Sequence, residues 1–296
     1  VRYPAFRRGT FALVGGVLHE ASYTGGDTVH LNSPQAENPD PELFSWNDEY
    51  AQWCGRIAAD RCVRVYSVDV YAQYRGHSVL IENIGDTGLA GVRYAEWDPA
   101  WATGNGFIQQ NRYEFRKKIP ITELSGYYER QRDLLFDRWV ERRFARRSPA
   151  PAPDDRPRSG ILATVSGAEY PARYPVGGRI VLSVSGADNP DPALFSQGPD
   201  SRMWTAEVPV GRCARLAEVT TRAEYRGHPC QVDEIDSDGT VSLLHLGKAE
   251  KAAEDGFTHG ADGRWTKSVP VFDLARYHEH HVDLLFDDWA RGAGKL

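Results

Sequence analysis

The sequence predicts a mostly β protein with two helices, built from four similar units that form two homologous halves. Three observations predict it. The chain repeats itself after about half its length, a finer period recurs inside the second half, and each quarter alternates apolar and polar residues between turn signals.

The half-length repeat is read directly. Asn38-Pro39-Asp40-Pro41 with Phe44-Ser45 returns 151 positions later as Asn189-Pro190-Asp191-Pro192 with Phe195-Ser196. At the same shift Trp53 falls on Trp204, Cys62 on Cys213, and Tyr74-Arg75-Gly76-His77 on Tyr225-Arg226-Gly227-His228. One deletion changes the shift to 150, and Asp133-Leu134-Leu135-Phe136 then meets Asp283-Leu284-Leu285-Phe286. The quarter period shows where Trp204 to Val210 recurs 61 positions on as Trp265 to Val271.

The first half, residues 1–145, therefore holds units at about 9–66 and 67–124. Beyond them Leu124, Tyr128, Leu135 and Trp139 fall at helical spacing, which predicts a helix over 125–145. Residues 146–159 form an arginine- and proline-rich stretch, expected to be a semi-extended linker or a polyproline ligand. The second half, 160–296, holds units at about 160–216 and 219–274, and Leu274, His278, Leu285 and Trp289 predict a second helix over 275–291. Within each unit, strands are marked by runs such as Val219, Thr221, Ala223 and Tyr225, and turns by pairs such as Asp238-Gly239. Each unit closes on an aromatic residue, three further residues, and a Val or Ile that is usually followed by Pro. Short strands with this terminal Pro resemble SH3-like small barrels, and the resemblance implies four tandem barrels in two lobes.

Bulk properties exclude several function classes. A formal charge of -6 and a pI near 5.9 argue against a general nucleic-acid binder, which needs a basic footprint. No apolar run approaches the roughly 20 residues that cross a bilayer. No signal-peptide segment opens the chain, so a cytoplasmic location is expected. Arginine far exceeds lysine and alanine is abundant, a composition expected of a GC-rich, actinobacterial source, and Val1 fits a GTG start codon.

Comparing the repeats separates fold from chemistry. Cys62 and Cys213 take the places of Leu124 and Leu274, so small buried side chains are expected there. His77 and His228 suggest acid–base groups, but the sister turns, Gly15-Gly16 and Ser166-Gly167, keep the glycine and lose the histidine. Asp40 and Asp191 suggest metal ligands, yet Asn and Asp before proline are ordinary turn formers. His278 and His281 would share a helix face suited to zinc, but the first half has no histidine there. Arg142, Arg143, Arg146 and Arg147 suit a helix C-terminus. No phosphate loop, nucleophile elbow, Cys-x-x-Cys or His-Glu-x-x-His occurs. No catalytic residue, metal or cofactor is therefore expected.

The halves disagree at two loops. Trp46, Asp48, Glu49 and Tyr50 stand where the second half has Gln197 to Ser201, and Glu96, Trp97, Asp98 and Trp101 stand where it has small and polar residues. Aromatic side chains with acidic neighbours suit a protein interface with a basic partner. Tandem small-barrel proteins of this character resemble immunity proteins that neutralise toxins. The resemblance implies a monomeric inhibitor that plugs the basic cleft of a toxin or enzyme. The alternatives are an enzyme or small-ligand binder using His77, His228, Asp40 or Asp191 between the lobes, and an SH3-like peptide adaptor.

Overall fold

The computed structural model describes residues 6–145 and 156–293, apart from 199 and 201. Residues 146–155 of the proline-rich stretch, with Arg146 and Arg147, lie outside the described residues.

The first unit comprises β1 (Gly9–Val14), β2 (Val17–Ser22), β3 (Thr28–Ser33), β4 (Phe44–Asn47) and β5 (Gln52–Ala58). The second comprises β6 (Arg64–Tyr74), β7 (His77–Ile84), β8 (Leu89–Tyr94), α1 (Pro99–Gly104), β9 (Ile108–Asn111) and β10 (Glu114–Pro120). It is followed by β11 (Ser125–Asp133) and α2 (Phe136–Val140). The third unit repeats the first as β12 (Gly160–Val165), β13 (Ala168–Ala172), β14 (Arg179–Ser185), β15 (Ser196–Gln197) and β16 (Met203–Pro209). The fourth repeats the second as β17 (Arg215–Tyr225), β18 (His228–Ile235), β19 (Thr240–His245), α3 (Ala249–Glu254), β20 (Thr258–His259) and β21 (Trp265–Pro270). The chain closes with β22 (Leu274–Asp283) and α4 (Phe286–Ala293).

The protein is mostly β, and the 22 strands of the described residues join one continuous antiparallel sheet rather than four separately closed barrels. The reason is β6, whose one edge pairs first with β1 and then with β7, while its other edge pairs with β11. Strand β17 does the same with β12, β18 and β22. Each unit still wraps its own apolar core: Leu31, Phe44 and Ile57 in the first, Val70, Ile81 and Ile119 in the second. Ile180, Leu182 and Val208 fill the third, and Val232, Leu243 and Val269 the fourth.

Sister hairpins share one turn chemistry. Arg75 and Gly76 have φ of 50° and 82°, and Arg226 and Gly227 have 51° and 82°. Gly15-Gly16 and Ser166-Gly167 repeat the pair of positive φ angles. Two positive φ values in a two-residue loop match the strand twist, and the second falls on glycine every time. The Tyr-Arg-Gly-His motif is thus a hairpin device first.

The two long helices expected over 125–145 and 275–291 are not formed. Their first turns are β11 and β22, and helix begins only at Phe136 and Phe286. In β11 the buried residues are Tyr127, Glu129 and Gln131, at a period of two. Two of the three are polar, so the strand lacks the apolar alternation that would announce it. Tyr128, read as core-facing, lies on the opposite face.

Strands β11 and β22 pair with each other, Arg130 opposite His280, so β6, β11, β22 and β17 form a four-stranded seam between the halves. The short helices cross it. Phe286 of α4 stacks on Tyr127 at 4.8 Å within the second unit's core. Phe136 of α2 stacks on Tyr277 at 3.9 Å within the fourth unit's core. Each half therefore lends its terminal helix to the other.

Buried charges follow the same exchange. Glu129 is held by Arg7 of its own half at 3.0 Å and by Arg215 of the other at 2.8 Å. Glu279 is held by Arg158 at 2.8 Å and by Arg64 of the first half at 3.0 Å. Burial opposes ionisation of both carboxyls, but the flanking guanidinium groups outweigh it and hold them below the usual carboxylate range. Arg158 belongs to the stretch expected to be a spacer, and Arg156 beside it donates to Asp133 at 2.9 Å, so its end is docked.

Candidate functional site

The first candidate loop is the β4–β5 hairpin. Trp46 pairs across the strands with Trp53, ring to ring at 5.2 Å, and its Nε1 donates to Asp48 at 2.9 Å. Asn47 Oδ1 accepts from the backbone N–H groups of Glu49 and Tyr50, at 2.9 and 3.2 Å, which sets the tip. Trp46 remains 47% exposed and Tyr50 63% exposed. Asp48 and Glu49 are exposed beside them.

The second candidate loop runs from β8 into α1. Asp98 caps the helix, accepting from the Trp101 N–H at 2.9 Å, and Pro99 occupies the first helical position. Trp97 is 63% exposed and lies 5.5 Å from Tyr113, which is 66% exposed at the tip of β9–β10. Trp101 departs from the expected surface role, whereas Glu96 stays exposed. The helix turns Trp101 inward, where its half-buried ring packs on His77 at 3.9 Å and stacks on Tyr94 at 5.1 Å. Glu96 contacts His77 Nδ1 at 2.8 Å and accepts from the Ser78 N–H at 2.7 Å. These two hold the second unit's rim. Tyr113, whose sister is Gly263, was missed, although the same comparison of halves singles it out.

Comparison with known protein families, with curated proteins and with solved structures finds no match. The chemistry has to be read from the side chains themselves.

The residues of the between-lobes alternative are each engaged locally. Asp40 Oδ1 accepts from the Glu42 N–H at 2.9 Å and Asp191 Oδ1 from the Ala193 N–H at 3.0 Å. Asn38 and Asn189 donate to the Phe44 and Phe195 carbonyls in the same way, at 3.1 and 3.0 Å. The two Asn-Pro-Asp-Pro loops are therefore matching turns. His77 is engaged by Glu96, and His228 Nε2 lies 3.7 Å from Asp255.

The histidine run lies on β22, where alternation splits it between faces. His281 faces the buried charges and its Nε2 donates to Glu279 at 2.7 Å. His278 and His280 face outward, the His280 ring packing at a tilt on Tyr128 at 4.3 Å. This overturns the shared helix face that suggested zinc, and no three His, Cys, Asp or Glu side chains among the described residues are placed to hold a metal. Burial is the first cause lowering all three histidines, with His280 at about 3, where Arg222 also contributes, and His281 at about 4. All four cysteines are free thiols, and burial pushes Cys62 and Cys230 up to about 11, which makes them poor nucleophiles. No helix of the described residues is long and apolar enough to cross a membrane.

Proposed function

We propose that the protein is a non-enzymatic binding module of four SH3-like units that engages a protein partner through the hairpin tips of its first half. One observation carries the reading. Trp46 with Tyr50 and Trp97 with Tyr113 stand exposed at or beside the last hairpin of the first and second units. The tips of the third and fourth units, residues 198–202 and 260–264, carry no aromatic residue. The fold does not require rings at these tips, since the second half forms without them. Asp48, Glu49 and Asp98 give the surface the sign to attract a basic cleft. A cytoplasmic immunity protein that occludes a toxin or enzyme is the function this favours. Interface aromatics of this kind each contribute about 2 kcal/mol when central to the contact.

The test substitutes Trp46, Tyr50, Trp97 and Tyr113 together by alanine and compares proteins that co-purify with variant and parent. A partner retained by the parent and lost by a variant of unchanged circular dichroism is the expected result. Retention of the same partner by both would sink the reading.

A further inference from the structure

We propose that the outer face of the first unit's sheet is a carbohydrate-binding groove, which shares Tyr50 with the hairpin surface assigned above. Strand alternation builds it. Asn32 on β3 lies opposite Cys54 on β5, Ser45 on β4 lies opposite the same Cys54, and Asn47 on β4 lies opposite Gln52. Their side chains share one face, while Leu31, Phe44 and Ile57 fill the core on the other. With Arg56 and Tyr50 they line a groove of about 830 Å³, within the range of small-molecule sites.

The third unit has the same strands without this set: it carries Ser183 for Asn32, Gly198 for Asn47, Met203 for Gln52 and Glu207 for Arg56. Its edge strand β15 has two residues where β4 has four. The sheet thus folds without this set of amides, and the fold does not account for them.

The lining decides the class of ligand. Amides, the hydroxyls of Ser22 and Ser45, a phenol, the His30 imidazole and a single guanidinium offer donors and acceptors in both senses. Gln52 and Arg56 have no hydrogen-bond or ion-pair partner among the described side chains. The face holds no cluster of cations for a polyanion and no acidic pair for a metal. A sugar presents hydroxyl groups that both donate and accept, and a flat C–H face for a half-apolar ring such as Tyr50 at the rim.

The test uses an array of immobilised oligosaccharides and the full chain. The double variant Asn32→Ser with Gln52→Met carries the residues that the third unit carries in the same strands. The parent is expected to retain at least one oligosaccharide saturably, and the double variant to lose it by tenfold or more. Ser183→Ala with Met203→Ala, the matching change in the third unit, is expected to leave retention unchanged. If the double variant loses its circular dichroism spectrum, Tyr50→Ser, at the exposed tip, is read in its place with the same loss expected. No retention by the parent, or equal retention by parent and groove variant, would overturn the proposal.

Discussion

Residues of the seam set a pH dependence whose sign can be worked out. His278, His280 and His281 are held neutral in the fold, with His280 near 3 and His281 near 4. In the unfolded chain each returns to about 6.5. Between those values the unfolded state binds more protons, so stability is present above about pH 6.5 and is lost as pH falls through the folded values. Glu129 and Glu279, whose folded values are depressed, act in the same direction at lower pH. A fully buried histidine costs about 1.4 kcal/mol per pH unit in this window. The urea midpoint should therefore fall between pH 7 and pH 5, before carboxylates titrate. His281 is the best probe, because its sister Gln131 makes the equivalent bond, its Nε2 donating to Glu129 at 2.9 Å. His281→Gln should fold and show a shallower fall. An unchanged slope would place the acid sensitivity elsewhere.

Among the elements, the seam strands carry a matched irregularity. Gly126 in β11 has φ of 56°, and its sister Arg276 in β22 has φ of 52°, both at register shifts in the ladders. A side chain in this left-handed region costs on the order of 1 kcal/mol or more, which glycine avoids. The ion pair of Arg276 with Glu224 is exposed and compensates little. Arg276→Gly should raise stability by about 1 kcal/mol in urea denaturation, and a loss of stability would show that the ion pair outweighs the strain. Irregularities of this kind also mark what the sequence could and could not disclose. Four units were legible because apolar alternation and recurring Gly76, Gly227, Gly16 and Gly167 report cores and turns directly. The seam was not legible, because Glu129, Gln131, Glu279 and His281 put polar groups where strand alternation expects apolar ones. Trp46 and Trp97 were legible as rings without sisters, but Trp101 required the short helix α1, whose six residues give too little periodicity to be seen.

At the scale of the whole molecule, the two halves behave as partners rather than as independent lobes. Each half's terminal helix, α2 or α4, fills the other half's core, and each buried glutamate takes one arginine from across the seam. A half on its own would expose Phe136 and Trp139, or Phe286, and would leave Glu129 or Glu279 short of a cation. Breaking a buried pair in this way costs about 3–5 kcal/mol. Pairing of a half with its own copy restores the helices and the arginines but changes the seam. Arg130 faces His280 in the chain, whereas two first halves would set Arg130 against Arg130, a like-charge pair that destabilises a sheet. The neutral state of His280 is what makes the mixed pairing favourable. Residues 1–145 and 156–296 expressed as separate chains should therefore combine one to one when mixed, as read by light scattering on a sizing column. The first half alone should neither dimerise nor give a cooperative thermal transition. A first half that melts cooperatively on its own would mean that its two cores suffice without the exchanged helix, and that the seam contributes orientation rather than stability.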